Sequence, residues 1–161
     1  MYNYTLTKFL FKGENAMSTK KFNIYVDGQA GTTGLKINER LVNHPYVNIL
    51  KIADDKRKDY NARKELINAA DIVFLCLPDA ASIEAVSMIE STNKHTKIID
   101  ASTAHRTNPN WTYGIPELSS SAREQIASSI RTAVPGCYAS AFILPMYPLV
   151  NGGIIPKDYP I

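Results

Sequence analysis

The sequence predicts a doubly wound α/β domain, in which helices cover both faces of a parallel sheet. Short apolar runs alternate with helical patterns from residue 22 onward. The run IVFLCL (residues 72–77) is apolar at every position, which is typical of a strand that is buried on both faces. Strands that alternate with helices imply right-handed crossovers between parallel strands.

The individual elements follow from periodicity and from turn residues. We expect strands at residues 22–26, 47–53, 72–77, 97–102 and 131–134. Helices are predicted by Leu35, Ile37, Leu41 and Val42, by Ala62, Leu66, Ala69 and Ala70, by Ile83, Val86 and Ile89, and over residues 123–129. A last helix, over residues 138–144, is expected to end at Pro145.

Length and composition indicate one soluble globular domain. The chain has 161 residues, of which 45% are hydrophobic and 20% charged, and residues 1–20 are expected to form a tail in which Met17 is an alternative start. The net charge of +3 is dispersed, which argues against nucleic acid, and no apolar run approaches the roughly 20 residues of a membrane span. Cys76 and Cys137 lack metal-ligand spacing, so we expect no metal site and a reducing, cytoplasmic setting.

Three glycines follow the first predicted strand in the stretch DGQAGTTG. Gly28, Gly31 and Gly34 are spaced G-x-x-G-x-x-G rather than the commoner G-x-G-x-x-G. The first turn of such a sheet lies at its carboxyl edge, where ligands bind. Glycine lets the backbone approach a pyrophosphate, and the helix N-terminus favours negative charge. Thr32 and Thr33 either add hydroxyl donors or only cap the helix.

The polar stretch DDKRKD after the second strand carries both signs of charge. Asp54 lies 20 positions beyond Gly34, which is about where an acidic residue binds the adenosine ribose of NAD. Lys56, Arg57 and Lys58 are cations that can instead bind the extra 2′-phosphate of NADP. NADP is the cofactor we predict, and a solvated charged loop is the structural alternative.

Cys137 is the candidate nucleophile. In VPGCYASAF it follows Pro135 and Gly136 and begins a helical pattern. A helix N-terminus favours the reactive thiolate of a cysteine, although an isolated cysteine is usually a small buried hydrophobe. Cys76, inside IVFLCL, fits that second description, and we assign it no chemistry.

Five segments together, GQAGTTG, FLCLPDAAS, IIDASTAHR, WTYGIPEL and VPGCYAS, resemble the N-acetyl-gamma-glutamyl-phosphate reductases, particularly their shorter form. The resemblance runs in order from about residue 22. VPGCY and YGIPEL separate it from the related aspartate-semialdehyde dehydrogenases, whose cysteine typically follows an asparagine. It implies a Rossmann-type cofactor domain, a homo-oligomer, and reduction of N-acetylglutamyl 5-phosphate by NADPH through a thioester on Cys137.

The resemblance also assigns roles to other residues. Leu77 and Pro78 would contact the cofactor, unless they only terminate a strand. Ser102 and Arg106 would meet the substrate or its phosphate, for which an arginine offers a paired donor fork. His105 is not the expected base, because the family's catalytic histidine belongs to a second domain.

Three segments are expected: the tail at 1–20, a cofactor domain at 21–145, and the start of a catalytic and dimerisation domain at 146–161. The base would then lie downstream of residue 161. Two functional classes stay open. The chain is either an enzyme, or part of one, or a dinucleotide-binding module without turnover. An enzyme of the aspartate-semialdehyde-dehydrogenase type is the remaining alternative.

Overall fold

A computed structural model describes residues 20–160 and contains one six-stranded parallel sheet. The strand order is β2-β1-β3-β4-β6-β5, and every neighbouring pair is parallel. The predicted doubly wound sheet is therefore confirmed. The strands are β1 (Phe22–Asp27), β2 (Val47–Leu50), β3 (Ile72–Leu75), β4 (Lys97–Asp100), β5 (Thr112–Tyr113) and β6 (Arg131–Ala133).

Five α-helices and one short 3₁₀ turn (Asp54–Lys56) connect or follow these strands in the described part of the chain. They are α1 (Thr32–Leu41), α2 (Tyr60–Ala69), α3 (Asp79–Ser87), α4 (Ala122–Ser128) and α5 (Cys137–Asn151). No helix within residues 20–160 is long and apolar enough to cross a membrane. The predicted tail, apart from Lys20, lies outside the described residues.

The structure corrects several element boundaries. The predicted strands at 47–53, 72–77 and 97–102 end at Leu50, Leu75 and Asp100. The two-residue strand β5 was not predicted, because a segment that short shows no periodicity. Apart from the added β5, the predicted order of elements is unchanged.

The prediction that the last helix ends at Pro145 is wrong. Helix α5 contains both Pro145 and Pro148 and continues to Asn151. Pro145 has no N–H to donate to the carbonyl of Ala141, and Pro148 has none to donate to the carbonyl of Leu144. Both of those residues are exposed, so water can satisfy the freed carbonyls and the helix can continue.

The largest group of buried side chains packs α2 and α3 against the central strands. Ile67 of α2 and Met88, just after α3, are almost fully buried together with Tyr25, Val73 and Ile98 of the sheet. Three large apolar residues of the predicted helical faces, Leu35, Val42 and Ile83, are instead exposed. The core is therefore built mainly by the strands and by α2 and α3.

The turn after β1 depends on glycine at two positions. Gly28 has a φ of +88°, and a Cβ added there would lie 2.2 Å from the carbonyl oxygen of Cys76. A Cβ added to Gly34 would lie 2.3 Å from the Gly28 carbonyl oxygen. Gly31, by contrast, has a φ of −77° and leaves 3.4 Å to its nearest neighbour.

We predict that Gly28→Ala destabilises the fold by roughly 3 kcal/mol or more, because it adds backbone strain and a steric overlap together. Gly31→Ala is the matched control and should cost less than about 1 kcal/mol, since φ is negative and the added Cβ would make only an ordinary contact with the Gly28 carbonyl oxygen. Urea unfolding of both variants measures the difference. Equal stability of the two variants would contradict the described turn.

Candidate active site

A cleft of about 690 Å³ opens where the chain reverses its direction across the sheet. β1 and β3 are neighbours, but β1 leads outward to β2 while β3 leads to β4 on the other side. Such a switch point at the carboxyl edge is where ligands bind in open α/β sheets. Six residues predicted to bind the cofactor line the cleft, namely Gly28, Gly31, Asp54, Arg57, Lys58 and Leu77.

The other predicted cofactor residues lie around the cleft rather than in its lining. Thr32 and Thr33 are exposed in the first turn of α1, whose N-cap is Gly31 and has no side-chain cap bond. Gly34 is buried against the turn, and Pro78 is the exposed N-cap of α3. Lys56 is exposed in the 3₁₀ turn. A cofactor contact by any of these five residues stays a prediction.

The acidic and basic residues predicted for rival cofactors contact each other. The Nε atom of Arg57 lies 3.5 Å from Oδ1 of Asp54 and donates a hydrogen bond of 3.1 Å to the Asp54 carbonyl. Both residues are exposed, and an exposed ion pair contributes only about 0–1 kcal/mol. Either side chain can therefore turn toward a bound ligand at little cost.

A buried ion pair that we did not predict lies beneath the glycine turn. Asp27 is 3% exposed and Arg63 is 7% exposed. Nε and Nη2 of Arg63 each lie 3.1 Å from Oδ2 of Asp27, and Nη1 lies 2.8 Å from Oε2 of Glu84. Burial raises the pKa of Asp27, while Arg63 acts in the opposite direction. The sequence signal that could have indicated this ion pair was Arg63, a charged residue next to the helical face that Ala62 and Leu66 predicted to be apolar.

Cys137 is the first residue of α5 and is exposed to solvent. Gly136 is the N-cap, and its carbonyl accepts hydrogen bonds of 2.9 Å from both the backbone N–H and the hydroxyl of Ser140. The predicted location at a helix N-terminus is thus confirmed. Its role as nucleophile stays a prediction.

Arg106 joins the ends of two strands beside Cys137. Its Nε donates to the Val134 carbonyl at 2.9 Å, after β6, and its Nη2 donates to the Ala101 carbonyl at 3.1 Å, after β4. A Cβ added to Gly136 would lie 2.7 Å from Nη1 of Arg106. The guanidinium therefore lies against the residue that precedes the cysteine, where an anionic group of a substrate can meet it.

Ser102 and His105 share a buried carboxylate. Asp100 accepts hydrogen bonds from the hydroxyls of Ser102 at 2.7 Å and Ser82 at 3.1 Å, and Nδ1 of His105 lies 2.6 Å away. The His105 ring also stacks on Trp111 with 4.0 Å between centroids. Ser102 is thus turned inward, so a substrate contact by its hydroxyl, which stays a prediction, would require this network to rearrange.

The two remaining histidines of the chain lie at the opposite edge of the sheet. His44 precedes β2 and His95 precedes β4, so both are at the amino ends of parallel strands, whereas Cys137 follows the carboxyl end of β6. Within residues 20–160, no group of three or more His, Cys, Asp or Glu side chains is arranged to hold a metal ion.

A parallel doubly wound sheet with a glycine turn at its switch point defines a dinucleotide-binding domain of the Rossmann type. Residues 23–128 match the family described as "Semialdehyde dehydrogenase, NAD binding domain". The chain therefore belongs to the semialdehyde dehydrogenase family through this domain, and the predicted resemblance is confirmed.

Curated relatives show which members of this family the chain is similar to. The chain is 47% identical over 138 residues to N-acetyl-gamma-glutamyl-phosphate reductase 2 of Pseudomonas putida, covering 86% of this chain and 44% of the relative. It is 45% identical over 141 residues to N-acetyl-gamma-glutamyl-phosphate reductase of Brucella ovis, covering 88% of this chain and 45% of the relative. The chain thus spans less than half the length of these relatives.

Solved structures agree on the fold. Aspartate semialdehyde dehydrogenase from Francisella tularensis is similar with a TM-score of 0.61 at 13% identity, over 82% of this chain and 41% of that one. Aspartate semialdehyde dehydrogenase II from Vibrio cholerae is similar with a TM-score of 0.57 at 14% identity, over 83% of this chain and 43% of that one. At these identities the likeness concerns the fold alone.

We predict that iodoacetamide alkylates Cys137 at least about tenfold faster than Cys76 at neutral pH, because thiolate content and access govern the rate. Burial raises the pKa of Cys76 to about 11, whereas Cys137 is exposed at a helix N-terminus. Peptide mass spectrometry measures both rates, with Cys137→Ser and Cys76→Ser as paired controls. If Cys137 reacts no faster than a free thiol in a peptide, the activated-thiolate hypothesis is wrong.

Proposed function

We propose that the chain supplies the cofactor site and the nucleophile of an NADP-dependent N-acetyl-gamma-glutamyl-phosphate reductase. The observation that carries the proposal is the arrangement at one sheet edge. Cys137 and Arg106 follow β6 and β4, while the glycine-lined cleft follows β1 and β3. The names of the relatives at 45–47% identity support the same reaction. The homo-oligomer that the resemblance implies stays a prediction.

The residues of the cleft fit a dinucleotide. Gly28 and Gly31 line the cleft without side chains, so the backbone of the turn can approach a pyrophosphate closely. Arg57 and Lys58 line the same cleft and favour NADP, whose 2′-phosphate needs cations. When bound, the reduced nicotinamide supplies a hydride.

Acyl transfer is the first step that these residues can support. The Cys137 sulfur attacks the carbonyl carbon of the acyl phosphate, a C–S bond forms, and the C–O bond to phosphate breaks with its electron pair. The thiol proton ends on the departing phosphate. Arg106 binds the phosphate oxygens through charge-assisted hydrogen bonds, and the N-terminus of α5 stabilises the negative charge that develops on the carbonyl oxygen.

Reduction then releases the product from the cysteine. With a reduced nicotinamide bound in the cleft, its hydride would pass to the thioester carbon, the C–S bond would break, and the electron pair of that bond would return to the Cys137 sulfur as the aldehyde departs. The sulfur regains a proton from solvent. His105 is engaged with Asp100 and Trp111, and His44 and His95 lie at the other edge, so we expect proton transfer by these 161 residues alone to be slow.

The cofactor preference can be tested at Arg57. We predict that Arg57→Gln weakens NADPH binding roughly tenfold, the effect of about 1.4 kcal/mol, and changes NADH binding little, because only NADPH carries the 2′-phosphate. Quenching of nicotinamide fluorescence measures both dissociation constants. Arg40→Gln removes an equal charge from the exposed end of α1 and should change neither. Equal weakening of both cofactors would contradict the NADP assignment.

The acyl-transfer step is tested by adding N-acetylglutamyl phosphate without cofactor. We expect about one phosphate released per chain and an acyl adduct on Cys137, because thioester formation needs the nucleophile but not hydride. Mass spectrometry and a phosphate assay measure both. Cys76→Ser should retain the adduct and Cys137→Ser should lose it.

Other outcomes discriminate the alternatives. Cofactor binding without any adduct would indicate a dinucleotide-binding module that does not turn over. Faster acylation by aspartyl phosphate would indicate an aspartate-semialdehyde-dehydrogenase type of enzyme. With NADPH present, rapid steady-state turnover would contradict our expectation of slow proton transfer.

A further inference from the structure

The buried ion pair Asp27–Arg63 lies directly next to the turn that is proposed to hold pyrophosphate. Asp27 is the last residue of β1 and immediately precedes Gly28. Asp27, Gly28, Gly31 and Arg63 all line the same cleft. A buried carboxylate thus borders the place where a second anion would bind.

Such a carboxylate opposes anion binding unless a cation compensates it. Two like charges a few ångströms apart repel each other strongly at the low effective dielectric of a protein site. Arg63 meets Asp27 through two nitrogens on one oxygen, each at 3.1 Å. Its third nitrogen lies 2.8 Å from Glu84, which holds the guanidinium between α3 and the end of β1.

The location distinguishes this pair from an ordinary structural contact. A buried ion pair is often no more stabilising than apolar residues of the same volume, so stability alone does not explain a charge on the inner face of α2. Tyr25 also donates its hydroxyl to Asp27 at 3.4 Å. Tyr25 and Arg63 therefore hold the Asp27 carboxylate in one position, and Arg63 is the cation that pairs with it.

We propose that Arg63 is a positioning residue that compensates the charge of Asp27 and thereby allows the glycine turn to bind the anionic part of a dinucleotide. The proposal rests on the proposed function, since it assumes that a phosphorylated ligand occupies this cleft. Arg63 acts through Asp27 and not by touching the reacting atoms. The effect should therefore scale with the negative charge of the ligand.

A series of ligands that differ in charge tests this proposal. Calorimetry would compare adenosine, ADP and NADPH on the wild-type chain and on Arg63→Gln, Asp27→Asn and the double variant. We expect Arg63→Gln to weaken ADP and NADPH binding roughly tenfold and adenosine less than about twofold. Asp27→Asn should bind ADP as tightly as wild type or more tightly, and the double variant should return to within about threefold of wild type.

Several outcomes would overturn the proposal. Equal loss of adenosine and ADP in Arg63→Gln would indicate a structural role only, as would a tenfold loss of ADP in the double variant. If Arg63→Gln fails to fold, Asp27→Asn and the double variant carry the test, since neither leaves a buried carboxylate unpaired. Arg40→Gln is the control for long-range charge. Failure of wild type to bind either ADP or NADPH would overturn the proposed function itself.

Discussion

The close approach of the Gly28 backbone to the Cys76 carbonyl governs the arrangement of the whole site. Cys76 donates its backbone N–H to the Asp27 carbonyl at 2.8 Å, which holds the ends of β1 and β3 together where the chain changes direction. Gly34, in the first turn of α1, packs on the Gly28 carbonyl. Because both contacts exclude a Cβ, the turn is held close to the sheet edge and the cleft stays open above it.

The same edge carries the remaining chemistry, because all strands are parallel and their carboxyl ends coincide. Asp79 accepts the Thr103 backbone N–H at 2.8 Å, so the ends of β3 and β4 are joined. Arg106 joins the ends of β4 and β6. Strands β1 and β6 are three strand spacings apart in the sheet, which is about 14 Å. The proposed pyrophosphate site and Cys137 are therefore parts of one continuous edge.

The sequence predicted those features of this edge that depend on a local pattern of residues. The continuous apolar run 72–77 indicated a buried parallel strand, and the Pro-Gly pair before Cys137 indicated a helix start. Contacts between residues that are distant in the sequence produce no local pattern and were not predicted. Asp27 and Arg63 are separated by 36 positions, and the inward turn of Ser102 depends on Asp100 being fully buried. The full length of α5 was also not predicted. The helix tolerates its two prolines because Ala141 and Leu144 are exposed, and their exposure depends on the tertiary structure rather than on the local sequence.

The central claim is that the glycine-lined cleft and Cys137 belong to one site. Its most direct test is the alkylation rate of Cys137 in the presence and absence of saturating NADP⁺, followed by peptide mass spectrometry. A cofactor that extends from the glycine turn along the sheet edge should slow alkylation of Cys137 several-fold, and adenosine, which is too short to reach it, should not. An unchanged rate with NADP⁺ demonstrably bound would contradict the account.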